Sequence, residues 1–336
     1  MKRNYSIDTL RTIATLLVIL LHVSAGYVNT GKNNLTFDTS FWAGNIVDSF
    51  SRICVPLFVL ISGMFLVGRK ETFKQSYQKR ASRILVPLIS WTIIYILYRV
   101  AISFIADNPI DIKSLLASVI LGRPFYHMWY LFMIIGLYLI TPILNNSIYY
   151  ASRNTLWTVA ILLLLFGMIN SSYDQILNNK VSFILWFVNY LGYFILGYLI
   201  KDSKNSFSFL LLSSAYIISS ILIAVLSMYT IKQYDSLYFY GYLTPFVIIG
   251  SLSFYKLFHQ LKLEENIFSK ISYLTLGIYL IHAGVLDALN SGLSMLDINT
   301  FNNPIIGIPM KFGVTFFISI IAAWIISRIK YIRKII

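Results

Sequence analysis

The sequence predicts an all-α, polytopic membrane protein: a single domain over residues 1–336 with about ten transmembrane helices and both termini in the cytoplasm. Of its 336 residues, 57% are hydrophobic and only 12% are charged, whereas soluble domains carry about 25% charged residues. The hydrophobic residues form long unbroken runs, and most Lys and Arg residues fall between those runs. An outer-membrane barrel is excluded, because its strands alternate polar and apolar residues in segments of about ten.

Ten apolar runs are long enough to be spans, because a helix needs roughly 20 residues to cross about 30 Å of hydrocarbon. The runs are 8–28, 45–67, 84–105, 126–144, 155–170, 183–200, 207–229, 238–255, 271–289 and 305–327. The first run follows basic residues, as in a secretory signal, but it lacks a small-residue cleavage site and contains Arg11 and His22. We therefore expect a retained first span.

The distribution of basic residues predicts the orientation, because cytoplasmic loops carry the excess of Lys and Arg. With the N-terminus inside, 18 basic residues lie in inner segments and 5 in outer ones. The net charge of +14 therefore reflects topology, and no nucleic-acid partner is expected. The densest group lies in a hydrophilic inner loop, Gly68 to Arg83. This loop either contacts the headgroups of anionic membrane lipids or forms a basic entrance for a phosphorylated ligand.

Two ionisable residues share the first span, where each costs at least roughly 2.5 to 3.5 kcal/mol to insert. Arg11 and His22 are eleven residues apart, so helical steps of about 100° bring them to within about 20° of one face, about 16.5 Å apart. Asp8 extends this face toward the cytoplasm. One interpretation is a snorkelling Arg11 and a hydrogen-bonded His22. The other is acyl transfer, with His22 as general base and Arg11 holding a phosphate or a thioester carbonyl.

Other polar side chains are candidates for auxiliary or acceptor-binding roles. Asp48 and Arg52 are four residues apart, in the order that favours a helical ion pair, which indicates either structural pairing or a second polar site. His127, Trp129 and Tyr130 open the fourth span. They form either an interfacial aromatic belt or a site where the rings stack on an acceptor sugar.

His282 lies in the middle of the ninth span, where either packing or a functional role accounts for it. The chain has 4 histidines and a single cysteine, Cys54, and no cluster of carboxylates lies within a span. A metal site would lack ligands, so we predict no metal. One cysteine also excludes an intramolecular disulfide.

The first span, IDTLRTIATLLVILLH, resembles the signature of the family-3 membrane acyltransferases, an Arg and a His separated by ten residues in the first transmembrane helix. Further blocks are similar to that family in the same order. They are SRICVPLFVLISGMFL at 51–66, KRASRILVPLISW at 79–91, FYHMWYLFMIIGLYLITPIL at 125–144, LGYFILGYLI at 191–200 and LGIYLIHAGVL at 276–286. The resemblance extends over nearly the whole chain.

The resemblance implies transfer of an acyl group, usually acetyl from acetyl-CoA, to a hydroxyl of a cell-envelope glycan, a lipid-linked sugar or a related acceptor. His22 would be the catalytic His and Arg11 its partner. Arg80 and Arg83 match two Arg residues that the family associates with the CoA donor at the cytoplasmic entrance. The resemblance also suggests a bacterial plasma membrane.

Two features of some relatives are missing from this sequence. Many carry an additional extracytoplasmic esterase-like domain, and some have a Glu in the final span, where this chain has FGVTFFISIIAAWIISRI. We therefore expect the chain either to complete the transfer itself or to pass the acyl group to a separate protein.

A transporter or flippase for a glycan or a small organic substrate is the alternative function, and a scaffold for envelope-polymer synthesis with a degenerate site is a third. Ten spans, interrupted helices and intramembrane charge also suit transport. Inverted-repeat transporters, however, have similarly interrupted segments in their two halves, and this sequence has no such pair. The residues therefore favour the enzyme.

Overall fold

The computed structural model describes residues 3–177, 183–201, 203 and 205–336, without the side chains of residues 79–82, 174, 176, 177 and 183. The described chain is helical and contains no β-strand, which confirms the predicted all-α class. Its α-helices are α1 (Tyr5–Asn34), α2 (Thr39–Ser51), α3 (Cys54–Leu66), α4 (Phe73–Ile105), α5 (Ile112–Ile120), α6 (Trp129–Tyr150), α7 (Arg153–Leu177), α8 (Trp186–Asn189), α9 (Leu191–Lys201), α10 (Phe209–Tyr234), α11 (Pro245–Gln260), α12 (Ile267–Ile271), α13 (Thr275–Met295) and α14 (Pro304–Arg328).

Nine helical segments of the described chain are long and apolar enough to cross a membrane. They correspond to nine of the ten predicted spans. The exception is the predicted sixth span, 183–200, which is built from a short 3₁₀ turn, α8 and the 11-residue α9. Almost all of α9 is buried, and a helix surrounded by protein does not itself have to match the thickness of the lipid.

Close packing against α3 holds α9 in the bundle. Gly197 lies against the carbonyl of Leu60, and Gly63 lies against the carbonyl of Phe194. A Cβ atom at either glycine would overlap backbone atoms of the other helix, so only glycine allows this approach. The contact fixes the position of α3, which forms one wall of the cavity described below.

The predicted second span is two helices rather than one, with a break at Arg52 and Ile53. Pro56 explains the break. It has no N–H group, so the carbonyl of Arg52 lacks the donor that a continuous helix would supply four residues later. Helical bonding resumes at Leu57, which donates to the carbonyl of Ile53 at 3.0 Å.

The prediction of a hydrophilic loop from Gly68 to Arg83 is wrong over most of its length, because α4 begins at Phe73. A capping box starts this helix: Thr72 accepts from the Gln75 backbone at 3.3 Å, and the Gln75 side chain accepts from the Thr72 backbone at 3.2 Å. The basic residues therefore lie on a helix that continues into the bundle. Pro87, within α4, has no N–H group to donate to the carbonyl of Arg83.

The helix α5 was not predicted, because its nine residues are too short for a span. It has no buried residue, and Ile112, Leu116 and Ile120 are 64%, 59% and 70% exposed. These three side chains are spaced four apart and so share one face. Such an amphipathic helix is suited to lie in a membrane interface.

Hydrogen bonds between distant segments agree with the predicted inner and outer positions of the connections between helices. At the start of α1, Ser6 donates to the carbonyl of Leu261 at 2.5 Å, in a connection predicted to be cytoplasmic. Near the other end, Tyr27 donates to the carbonyl of Phe301 at 2.5 Å, in a connection predicted to be external. We call the Ser6 end of the bundle inner and the Tyr27 end outer.

Candidate active site

A cavity of about 970 Å³ lies among the inner parts of α1, α3, α4 and α13 and the N-terminal half of α6. This volume is at the upper end of ligand sites, which span roughly 300 to 1,000 Å³. The lining includes four basic side chains and one acidic one, a formal net charge of +3. They are Arg11, Arg69, Arg83, Lys334 and Glu71. The remaining lining is largely apolar and aromatic, so the cavity suits a large anionic ligand with an apolar portion.

Arg11 reaches the cavity from α1. Its Nη1 atom is 3.4 Å from Oδ1 of Asp8, and its Cζ atom is 5.4 Å from the centroid of the Phe65 ring. Asp8 also accepts from Nε of Arg3 at 2.8 Å, a bond that raises the pKa of Arg3 above its usual value. Because Asp8 is shared between two cations and 30% of the Arg11 side chain remains exposed, Arg11 can still bind an anion. Asp8 supports Arg11 at the inner end, far from an acceptor on the outer side.

The two Arg residues implied by the family resemblance lie on α4. Arg83 is exposed and lines the cavity. The side chain of Arg80 lies outside the described residues. At the same end of the cavity Arg69 pairs with Glu71 at 3.7 Å, so its charge is partly offset.

The turn Arg333–Ile335 contributes a further cation. Trp91 of α4 donates its indole N–H to the carbonyl of Ile335 at 2.9 Å. This bond ties the turn to the wall of the cavity, and Lys334 consequently joins the lining. Lys334 shares no helix with the other site residues, so no spacing in the sequence relates it to them.

Three aromatic side chains line the outer end of the cavity: Phe58 of α3, Tyr130 of α6 and Tyr279 of α13. Each is the outermost cavity-lining residue of its helix. The ring centroids of Phe58 and Tyr130 are 5.9 Å apart, and those of Tyr130 and Tyr279 are 5.6 Å apart. We call these three residues the aromatic layer. On α1 the lining includes Arg11 but not His22, so the polar face predicted from their spacing is divided by this layer.

Three histidines meet on the outer side of the aromatic layer. The ring centroids of His22 and His282 are 5.4 Å apart with the rings 25° from parallel, and those of His127 and His282 are 5.2 Å apart. The Tyr279 ring lies 5.3 Å from His127 and 5.8 Å from His282. We call His22, His127 and His282 the histidine cluster. The sequence indicated each residue separately, but the fold brings them together from distant parts of the chain.

A hydrogen bond determines which ring nitrogen of His282 carries the proton. Its Nδ1 atom is 2.6 Å from the carbonyl of Tyr279. A carbonyl only accepts, so in the neutral ring Nδ1 carries the proton and Nε2 keeps a lone pair. Within the described chain this buried Nε2 has no hydrogen-bond partner. Buried polar atoms are normally satisfied, so Nε2 marks a place where a ligand or a water molecule can bind.

His127 is only 1% exposed, which is inconsistent with the aromatic-belt interpretation of this residue. Its backbone carbonyl accepts from the hydroxyl of Tyr279, so the histidine cluster is bonded directly to the aromatic layer. His22 is half-buried, and its ring lies edge-on to Tyr126 with the centroids 4.8 Å apart. Tyr126 is 44% exposed, so His22 and the ring beside it both have accessible surface.

Arg52 and Asp48 form an ion pair beside the break between α2 and α3. Asp48 is fully buried, and Arg52 donates from Nη1 to the carbonyl of Tyr240 at 3.1 Å. The guanidinium also lies 4.2 Å from the centroid of the Tyr240 ring. These contacts favour structural pairing over a free binding site.

Trp129 connects the Arg52 region to the start of α6. Its ring stacks on Tyr242 at 5.7 Å, and Tyr242 is in turn 5.9 Å from the Arg52 guanidinium. Trp129 is half-buried. Tyr130, the next residue, points instead into the inner cavity, so the predicted acceptor group His127, Trp129 and Tyr130 is divided between three environments.

Within the described part of the chain, no group of three His, Cys, Asp or Glu side chains is arranged to hold a metal ion. The site offers imidazole, guanidinium, ammonium, phenol and carboxylate groups. Besides Lys334, sequence analysis missed Phe58 and Tyr279. A signal for Tyr279 was available, because it precedes His282 by three residues and so lies on the same face of a helix.

A family model described as an acyltransferase domain, that of acyltransferase family 3, matches residues 4–328. The match covers all the cavity-lining and cluster residues except Lys334 and the C-terminal Ile336. Comparison with curated proteins and with solved structures gives no match.

Proposed function

The chain belongs to the family-3 membrane acyltransferases, and we propose that it transfers an acetyl group from acetyl-CoA to a hydroxyl of a cell-envelope glycan or lipid-linked sugar. One observation carries this proposal: a cation-lined inner cavity ends one aromatic layer away from a histidine cluster. A donor loaded from the inner side and an acceptor arriving from the outer side would then meet at His22.

The inner cavity supplies the groups that a CoA thioester needs. Arg83, Lys334 and Arg11 would bind its phosphates through charge-assisted hydrogen bonds, with Arg80 as a fourth candidate from the family resemblance. The apolar part of the lining would hold the pantetheine arm. Along α1, Arg11 is closer to the aromatic layer than its ion-pair partner Asp8. Arg11 can therefore contact the part of the donor that lies next to the thioester.

His22 would act on the reacting groups in one of two ways. As a general base it takes the proton of the acceptor hydroxyl while the oxygen attacks the thioester carbonyl. The C–S bond then breaks, and the CoA sulfur leaves and recovers that proton. As a covalent carrier, His22 attacks the carbonyl first, the C–S bond breaks and CoA leaves as the thiol with the proton of the imidazole. The acceptor hydroxyl then attacks the acetyl-imidazole, the N–C bond breaks, and the imidazole takes up the hydroxyl proton. Label retained on the quenched protein distinguishes the second route from the first.

The acceptor would approach past Tyr126, with Trp129 and Tyr242 as rings on which a sugar can stack. Support for a glycan acceptor comes from the blocks VPLF, ISG and FYH, which are similar to those of the inner-membrane O-acetyltransferase of enterobacterial common antigen. That closer likeness remains a prediction, as does a bacterial plasma membrane as the location.

The test uses the purified full chain in liposomes with radiolabelled acetyl-CoA and an envelope glycan extract. Wild type should label the glycan, and His22→Ala should lose transfer by about 10²- to 10⁴-fold, the usual contribution of a general base. The matched control is His259→Ala, the histidine outside the cluster, which should retain activity. Full transfer by His22→Ala would contradict the role of His22. Movement of glycan across the membrane without label would indicate the transporter instead.

A further inference from the structure

We propose that the aromatic layer restricts the donor to short acyl groups, acetyl above all, by limiting what can extend from the inner cavity to the histidine cluster. This inference rests on the proposed function, because it concerns the acyl end of the same thioester. It assigns acyl-chain selection to Phe58 and Tyr130, with Tyr279 as the fixed part of the layer.

The layer lies where the acyl group must pass. On three helices the cavity lining ends at Phe58, Tyr130 and Tyr279, and on α1 it stops short of His22. The Tyr279 ring then contacts both His127 and His282. None of the three residues of the layer is a cation. The phosphates of the donor therefore stay among the cations of the inner cavity, and only its acyl end contacts the rings.

The layer is anchored on its outer side through Tyr279. Tyr279 is 5% exposed, and its hydroxyl donates to the backbone of His127. Tyr130 is packed between the rings of Phe58 and Tyr279. The α3 helix that carries Phe58 is fixed in turn by the glycine contact with α9. A longer acyl chain would have to displace Phe58 and Tyr130 from their ring contacts within the layer.

Differences of one methylene group change enzyme specificity by about 10- to 200-fold when the pocket is fixed. Wild type should therefore lose at least about tenfold in kcat/KM from acetyl-CoA to propionyl-CoA, and again from propionyl-CoA to butyryl-CoA. The phosphate contacts are common to the three donors. Their affinity as competitors should consequently be similar, and the loss should fall mainly on turnover.

The experiment compares acetyl-, propionyl- and butyryl-CoA with the full chain in liposomes, in the presence of the envelope glycan extract, measuring release of CoA thiol. Tyr130→Ala and, independently, Phe58→Ala should raise the butyryl-to-acetyl ratio of kcat/KM by about tenfold or more. The matched control is Tyr138→Ala, which removes a tyrosine from the same helix and the same cavity but eight residues further in. Its butyryl-to-acetyl ratio should stay within about twofold of wild type, because it lies outside the layer.

The outcomes separate this inference from the proposed function. If wild type releases no CoA from any donor, the proposed function fails and the inference fails with it. If wild type has the same kcat/KM for butyryl-CoA as for acetyl-CoA, acyl transfer stands and selection by the layer is overturned. The same holds if the two layer variants, verified as folded by gel filtration, keep the wild-type ratio, or if Tyr138→Ala changes the ratio as much as they do.

Discussion

The inner cavity and the histidine cluster lie on opposite sides of one aromatic layer, but they are built from different chemistry. The cavity is wide and lined by cations, and its charges are partly exposed. The cluster is closely packed, and two of its three rings are buried. Binding a large anion needs exposed charge, whereas positioning a base needs a fixed ring. The difference therefore predicts that changes to the cavity affect donor affinity and that changes around the cluster affect stability or turnover.

The largest expected effect is on stability, at the buried ion pair of the outer region. Arg52→Leu should lower the free energy of unfolding by about 3 to 5 kcal/mol, because it leaves the charge of Asp48 buried without its partner. Thermal unfolding of the purified protein in detergent measures this change.

The control for Arg52 is a less buried ion pair of the inner region, in which the Arg69 side chain is 39% exposed. Arg69→Ala breaks the contact with Glu71 and should change the free energy of unfolding by about 0 to 1 kcal/mol. Equal losses for the two variants would contradict the distinction between a fully buried carboxylate in the outer region and a less buried pair in the inner one. Replacing Asp48 and Arg52 together by leucine should recover part of the lost stability.

The next effect concerns turnover. His282→Leu removes both the ring that stacks on His22 and the unpartnered Nε2 atom. We expect kcat for acetyl transfer to fall by about 10- to 100-fold through loss of positioning, while KM for acetyl-CoA stays near its wild-type value. His282→Gln, which keeps an amide able to hydrogen bond, should recover part of the rate. A rise in KM with unchanged kcat would place His282 in donor binding instead.

The smallest effect is on donor affinity. Arg83→Ala should raise KM for acetyl-CoA about fivefold, the equivalent of about 1 kcal/mol for one partly screened contact. The comparison substrate is S-acetyl-N-acetylcysteamine, which has the thioester but no phosphates, and its KM should not change. The fivefold difference should also shrink as salt is added. An equal rise in KM for both substrates would exclude phosphate binding by Arg83.

Local patterns predicted the membrane fold and part of the site. Hydropathy located nine of the long helices, because an apolar run of sufficient length is the property that lipid selects. It missed α5, whose nine residues are too few, and it mistook the start of α4 for a loop, because Thr72 and Gln75 cap a helix that is basic on its surface. Charge and hydropathy alone do not report capping.

The candidate site was predictable where it follows one helix and not where helices meet. The period of α1 related Arg11 to His22, but it gave no indication that an aromatic layer lies between them. Phe58, Tyr130 and Tyr279 come from three helices far apart in the chain, and only packing brings their rings together. The contact between His22 and His282 arises in the same way.

Pro87 alters the backbone hydrogen bonding at Arg83, and both residues line the cavity. Because its ring nitrogen has no hydrogen, the peptide oxygen of Arg83 is left as an acceptor within a helix that would otherwise use it. One residue thus presents a positive fork through its side chain and a lone pair through its main chain. A nucleotide carries phosphates that an arginine can bind, and pantetheine amides carry N–H groups that can donate to a free backbone oxygen. One proline within a helix therefore increases the number of contacts that a long, flexible ligand can make there.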